Sequence, residues 1–401
     1  MNRQLLICIA RAGTCMGTMA FAGALPTLHA LWHMDATTAG RVQTAFNLSN
    51  ALALLATAWL SDSLGAKRMF LVSSWAGAAA LLVFALFARS SQTALLLIVL
   101  VGLTQGGAYT PALLLTAELS ASAQRGRAMG QILAAGSFGY LLSITSSMWI
   151  TRSYGVAAGF GVCAAGAACG AVLGQVALSG VPNRRHAHSA AARLPALPWK
   201  RVFGPASLCL LFGYVAHCWE LLGSWAWTPT LLASALQPYR LGTVRTSLIV
   251  GCAVHLSGMI ATGIVGALSD RWGRSRVLVH VGALGALCSM LMGWSVQWGP
   301  GWAIAAAALG SFFILADSGV LSAAMSDEIP PACLGRVMGV RSILGFGAGA
   351  LAPMSVGMVL DRTQQWGWAY VPLAAGGALA CLAALMLRRV TRLPAAGRAQ
   401  P

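Results

Sequence analysis

Long apolar stretches separated by short polar ones recur from one end of the chain to the other. They lie near 5–26, 42–60, 69–88, 94–117, 128–150, 156–178, 203–226, 247–268, 277–297, 302–326, 337–360 and 366–387. A bilayer core about 30 Å thick needs roughly 20 mostly apolar residues per helix, so each stretch predicts one transmembrane helix. Strands of a membrane barrel would be about 10 residues long with polar side chains at alternate positions. Runs such as Ala94 to Leu103 show no alternation, and the predicted class is all-α integral membrane. The first stretch is interrupted by Arg11 and is not followed by a small-residue cleavage site and a soluble domain, so it is expected to be a retained helix rather than a signal peptide.

Composition removes the main alternative. Hydrophobic residues make up 58% of the 401 positions and charged residues 9%, against about 25% charged in an ordinary soluble domain. A net charge of +17 would suit a nucleic-acid partner, but the placement of the basic residues points to a lipid bilayer instead. Lys and Arg collect in cytoplasmic loops. With the amino terminus inside, 18 basic residues fall in inner segments and 6 in outer ones, leaving Arg11 and Arg341 within spans. Both termini are therefore expected in the cytoplasm, in a plasma membrane of bacterial inner-membrane type. The ten cysteines are scattered, without C-x-x-C pairs or His/Cys groupings at zinc-ligand spacing, so neither metal nor cofactor is expected.

A repeat organises the spans. The sequence Gly126 to Gly130, GRAMG, recurs 209 positions later as GRVMG at Gly335 to Gly339. The loop around Asp62 recurs 208 positions later around Asp270. Two landmarks at nearly one offset predict two related halves. The expected layout is a six-helix bundle over 1–180, a basic cytoplasmic linker over 181–202, a second bundle over 203–390 and a tail over 391–401. Parallel repeats of this kind place a substrate site near the midplane between the halves.

The loop residues Gly266, Asp270, Arg271, Gly273, Arg274 and Arg276, with the weaker first copy Asp62, Gly65, Lys67 and Arg68, resemble the signature loop of the major facilitator superfamily. The resemblance covers nearly the whole chain. It implies the twelve-helix fold with two pseudo-symmetric halves, alternating access, and a cavity lined mainly by spans 1, 4, 7 and 10. It also implies contacts of Asp62 with the start of span 11 near Arg336, and of Asp270 with the start of span 5 near Arg127. Such contacts would latch the cytoplasmic side and favour the outward-facing state. The loop chemistry is readable independently: Gly permits the tight turn, and a carboxylate suits a neighbouring helix start. For Lys67, Arg68, Arg274 and Arg276, setting topology alone stays open as the other reading.

Ionisable residues inside spans are costly, so each is a functional candidate. They are Arg11, Glu220, Asp317 and Arg341, with His217 and His255 beside them. His217 and Glu220 are three apart on span 7, close enough to share a face and exchange a proton. An Asp317–Arg341 pair would be structural. Arg11 could meet an anionic substrate or snorkel, and His255, in a run of small residues, reads as a satisfied core histidine. Gln105 and Tyr109 are candidate cavity lining, while Gly106, Gly107 and Pro111, like Gly345, Gly347, Gly349 and Pro353, mark places where a helix could loosen.

The expected function is transport of a small organic solute, an anion or zwitterion, by proton-coupled symport, with the protein acting as a monomer. Proton-driven efflux of a hydrophobic compound, or a ligand sensor that does not transport, stay open. An enzyme is not expected, since no Ser/His/Asp grouping, metal cluster or nucleotide-binding glycine loop is present.

Overall fold

The computed structural model describes residues 3–120, 125–185 and 202–392. The helices are α1 (Arg3–Leu31), α2 (Ala36–Leu64), α3 (Ala66–Phe87), α4 (Ser91–Leu119), α5 (Arg125–Tyr154) and α6 (Val156–Ala177) in the first half. In the second they are α7 (Pro205–Leu236), α8 (Thr243–Trp272), α9 (Arg274–Ser295), α10 (Pro300–Glu328), α11 (Pro331–Gly349 continuing as Ala352–Thr363) and α12 (Trp366–Arg392). Among the described residues, 11 helices are long and apolar enough to cross a membrane. Helix α2 is the remaining one: 29 residues long, but more polar, with Gln43, Asn47 and Ser49 buried.

Each predicted stretch coincides with one helix, overrunning it by no more than two residues, and most helices run several residues farther into polar sequence. Caps explain some of the starts. Asp35 accepts the Thr38 amide at 2.6 Å, and Ser90 and Thr93 form a reciprocal capping box at the head of α4. The turns at Gly65 and Gly273 have φ of +88° and +90°, a conformation that disfavours side chains bearing a Cβ. Most of the predicted linker, residues 186–201, and the tail from 393 onward lie outside the described residues.

Three helices are interrupted in their spans. Helix α1 tightens to a 3-10 turn at Cys15–Gly17, and the Ser143 hydroxyl of α5 donates to the Met16 carbonyl there. A side chain thus meets the polar group that an irregular backbone leaves in the apolar layer. Helix α8 carries a π-helical segment at Cys252–Leu256, and α11 breaks between Gly349 and Ala352, next to the predicted weak point. Helix α4 differs from expectation. It is continuous through Gly106, Gly107 and Pro111, because Gly106 seats against Asn50 of α2 and Gly107 against Ser73 of α3. These glycines serve close helix packing rather than loosening.

The apolar core shows how the halves meet. One large cluster joins both halves, combining residues such as Leu25, Val42 and Ile144 with Trp227, Val254 and Val356. It lies toward the face opposite the chain ends. On the terminal face each half has a cluster of its own, around Ile7, Phe70 and Leu115 in the first and around Leu210, Val277 and Leu321 in the second. The halves are closed against each other at the opposite face and have separate cores at the terminal face.

Polar contacts reinforce that closure. Asp361 of α11 accepts the amides of Ala36 and Thr37 at 2.8 and 2.7 Å and the Thr37 hydroxyl at 2.5 Å. A carboxylate from the second half therefore caps the start of α2 in the first, where exposed amides and the helix dipole both favour negative charge. Gly357 lies so close to the Ala36 and Thr37 backbone that an added Cβ would sit 2.7 Å from the Ala36 carbonyl carbon.

Candidate functional site

Nearer the terminal face than the opposite one, two buried guanidiniums are laid on tyrosine rings. Arg11 of α1 stands 5.2 Å from the Tyr109 ring centre on α4, and Arg341 of α11 stands 3.9 Å from that of Tyr214 on α7. The two arginines are 5% and 7% exposed. Stacking on an aromatic face offsets part of the cost of holding a cation away from water. Tyr109 lies within electrostatic range of both arginines, so the two stacks belong to one neighbourhood bridging the halves.

Arg341 is held at one corner. Its Nη2 donates to Ser322 at 3.0 Å, whereas Nε and Nη1 are buried without a hydrogen-bond partner. Gly345, one turn along α11, makes the stack possible: a Cβ there would fall 2.6 Å from Tyr214 Cδ1. The expected Asp317–Arg341 pair does not form. Asp317 instead meets His217, with Nδ1 to Oδ1 at 2.7 Å, an ion-pair distance although the two atoms are not aligned as a hydrogen bond. Ser318 shares His217 Nε2 at 2.8 Å.

This arrangement corrects the expected His217–Glu220 couple. Glu220 accepts from Ser289 of α9 at 2.6 Å and points toward Gly285 of α9 and Gly377 of α12. Positions i and i+3 differ by about 60° around a helix. On α7, which is enclosed by neighbours, that angle separates a side chain facing α10 from one facing α9 and α12. Gln105 accepts from Thr18 at 3.3 Å and packs against Gly17 and Gly77, inside the first bundle.

His255 is 1% exposed, as a core residue should be, but neither ring nitrogen has a partner. The expectation of a satisfied histidine is overturned. No sequence signal marks this, because the rings beside His255, those of Tyr140 and Trp225, come from α5 and α7.

The terminal-face loops are also resolved in part. Arg274 pairs with Asp270 and, at 3.2 Å, with Asp327 of α10, while Arg271, Arg276 and Arg127 are exposed. Among the described residues no ion pair joins Asp270 to Arg127, so that expected latch is absent where the cores of the halves are separate. The side chains of Asp62 and Arg336 lie outside the described set. Around them, Lys67 donates to the Val181 carbonyl at 2.7 Å and the Arg68 amide donates to Asn183 at 3.1 Å, tying the first-half loop to the end of α6.

The model of the Major Facilitator Superfamily matches residues 7–353. A mutant form of the nucleoside transporter NupG superposes with a TM-score of 0.76 at 15% identity, covering 96% of this chain and 100% of that one. A bacterial homologue of the human lysosomal transporter Spinster, in an inward-facing and unoccupied conformation, gives 0.76 at 13% identity, covering 97% and 96%. The human organic anion transporter MFSD10 gives 0.67 at 18% identity, covering 96% and 100%. A sequence search of curated proteins finds no match.

Proposed function

The chain belongs to the Major Facilitator Superfamily of secondary transporters, and on that premise we propose that it moves a small organic anion or zwitterion by proton-coupled symport. The carrying observation is the Arg341 guanidinium, buried on Tyr214 with two nitrogens unpartnered and facing the same centre as Arg11. Asp317 is engaged with histidine and Glu220 with Ser289, so neither buried carboxylate pairs with Arg341, and its charge is left for a ligand to neutralise. A buried charge without a partner is costly, so a bound carboxylate or phosphate would complete the site.

In this reading Asp317 and His217 form the proton-handling couple. Their contact joins α7 to α10, so a proton gained or lost there would alter packing between the helices that line the cavity. The basic-residue bias supports cytoplasmic termini in a plasma membrane, which makes the conformation described here inward-facing. The proposed working unit is a monomer. The solved relatives carry nucleosides and organic anions by their names, so the fold alone does not choose the cargo.

Uptake of labelled organic anions into proteoliposomes under an imposed proton gradient tests the proposal. Gradient-stimulated uptake in the wild type is expected, with Arg341→Gln weakening apparent affinity by roughly tenfold or more, as loss of a charge-assisted contact implies. Uptake of neutral solutes alone, insensitive to Arg341, would overturn it.

A further inference from the structure

We propose that Trp225, His255 and Tyr140 form a second recognition point between the halves, beside the arginines, taking the uncharged end of a planar organic anion that bears a hydroxyl or carbonyl group. The inference rests on the anion reading above and adds what the rest of the substrate must look like.

The three rings come from both halves. Tyr140 is on α5, Trp225 on α7 and His255 on α8, with ring centres 5.5 Å (Tyr140 to Trp225), 5.5 Å (Tyr140 to His255) and 5.6 Å (Trp225 to His255) apart. Three ring nitrogens in this cluster have no hydrogen-bond partner: Trp225 Nε1 and both nitrogens of His255. The neighbouring tryptophans on α7 behave differently. Trp219 Nε1 donates to the Pro372 carbonyl at 3.0 Å and Trp227 Nε1 to the Pro353 carbonyl at 2.8 Å. His217 has two polar neighbours and His280 bonds the Arg276 carbonyl. Unpaired nitrogens are thus concentrated in this cluster rather than spread over the aromatic residues.

Backbone geometry points the same way. His255 sits in the π-helical segment Cys252–Leu256, a departure from α-helix that is uncommon and tends to coincide with functional positions. The segment adds a residue to the turn and swings His255 toward α5 and α7. A buried polar atom without a partner is unfavourable in the empty protein, and so is the irregular turn. Ala253 and Val254 of the segment join the shared apolar cluster, whereas the His255 nitrogens find no partner there.

A ligand would use these atoms in a defined way. The indole N–H of Trp225 donates only, while a neutral imidazole donates at one nitrogen and accepts at the other. A hydroxyl can satisfy both kinds, and a carbonyl can accept from two donors. Tyr140 lies within electrostatic range of Arg11, which links the cluster to the cationic end of the site. A molecule with its carboxylate at the arginines and a flat body against the three rings would span the two points.

The test uses the full-length protein in nanodiscs and three probes: 4-hydroxybenzoate, 4-methylbenzoate and 4-methylphenol, titrated calorimetrically. The hydroxyl compound is expected to bind roughly tenfold tighter than its methyl counterpart, because a methyl leaves the site's polar atoms unpaired. His255→Phe and Trp225→Phe should each erase that difference, leaving 4-methylbenzoate within about twofold of its wild-type affinity. The melting temperature of the empty His255→Phe protein should not fall, whereas a histidine serving only structure would lower it. Equal binding of the two acids by the wild type, or a difference that survives both variants, overturns the inference while leaving the arginine site standing. Binding of 4-methylphenol as tight as that of the acids, unaffected by Arg341→Gln, overturns the arginine site instead. Absence of binding by all three overturns both.

Discussion

Replacing Asp361 with Asn isolates the contact that closes the face opposite the chain ends. The carboxylate accepts three hydrogen bonds from the first turn of α2, two from amides and one from a hydroxyl. The side chain is partly exposed, so full buried-charge energies do not apply. A carboxylate at a helix start contributes roughly 0.3–1 kcal/mol through the dipole, and a hydrogen bond to a charged group about 1.5–3 kcal/mol. Asn keeps one acceptor oxygen and loses the charge, so the closed arrangement should lose about 1–2 kcal/mol relative to one in which this contact is already broken. That corresponds to roughly a 5- to 30-fold rise in the population open at this face. Spin labels at Leu31 and Gln365, both exposed at that face, would report it as growth of a longer distance in double electron–electron resonance. An unchanged distance distribution, or a shift toward the shorter one, would refute the idea that Asp361 holds the closure.

Two further outcomes follow from how the charges are partnered. Asp317→Asn should abolish gradient-driven uptake while exchange persists, whereas Glu220→Gln should retain both and unfold at an equal or higher temperature, since Gln still accepts from Ser289 without a buried charge. Driven flux lost in Glu220→Gln but not in Asp317→Asn would reverse the assignment. Asp35 gives a pH dependence: the hydroxyl and amide of Thr38 hold its carboxyl below the usual range. Its contribution to the α2 start is present above the unfolded carboxylate pKa of about 4 and is lost as pH falls through the lower folded value. Hydrogen exchange at the Thr38 amide should accelerate in that acid window in the wild type, and Asp35→Asn should flatten the dependence.

The spans were legible because a bilayer allows so few solutions that length and apolarity nearly determine the element. Even α2, the most polar, showed an apolar centre over 42–60 within its 29 residues. The duplicated loops gave the two halves. Which side chains meet was much less legible. Spacing along α7 placed His217 and Glu220 together, but the neighbours on α9 and α10 claim them separately. Arg341 looked like the partner of Asp317 because charge alone was visible. Its Tyr214 stack depends on the missing side chain at Gly345, which sequence presents only as a small residue. His255 was the largest surprise, since being unpaired is a property of its surroundings and not of its own segment.

The divided core bears on how the protein is made as well as how it moves. The cluster around Ile7, Phe70 and Leu115 draws on the first half alone, so much of its packing can be completed while the second half is still being synthesised. The shared cluster, with partners as late in the chain as Leu373, can only close afterward. The interface between the halves therefore cannot be packed until nearly all of the second half has been made.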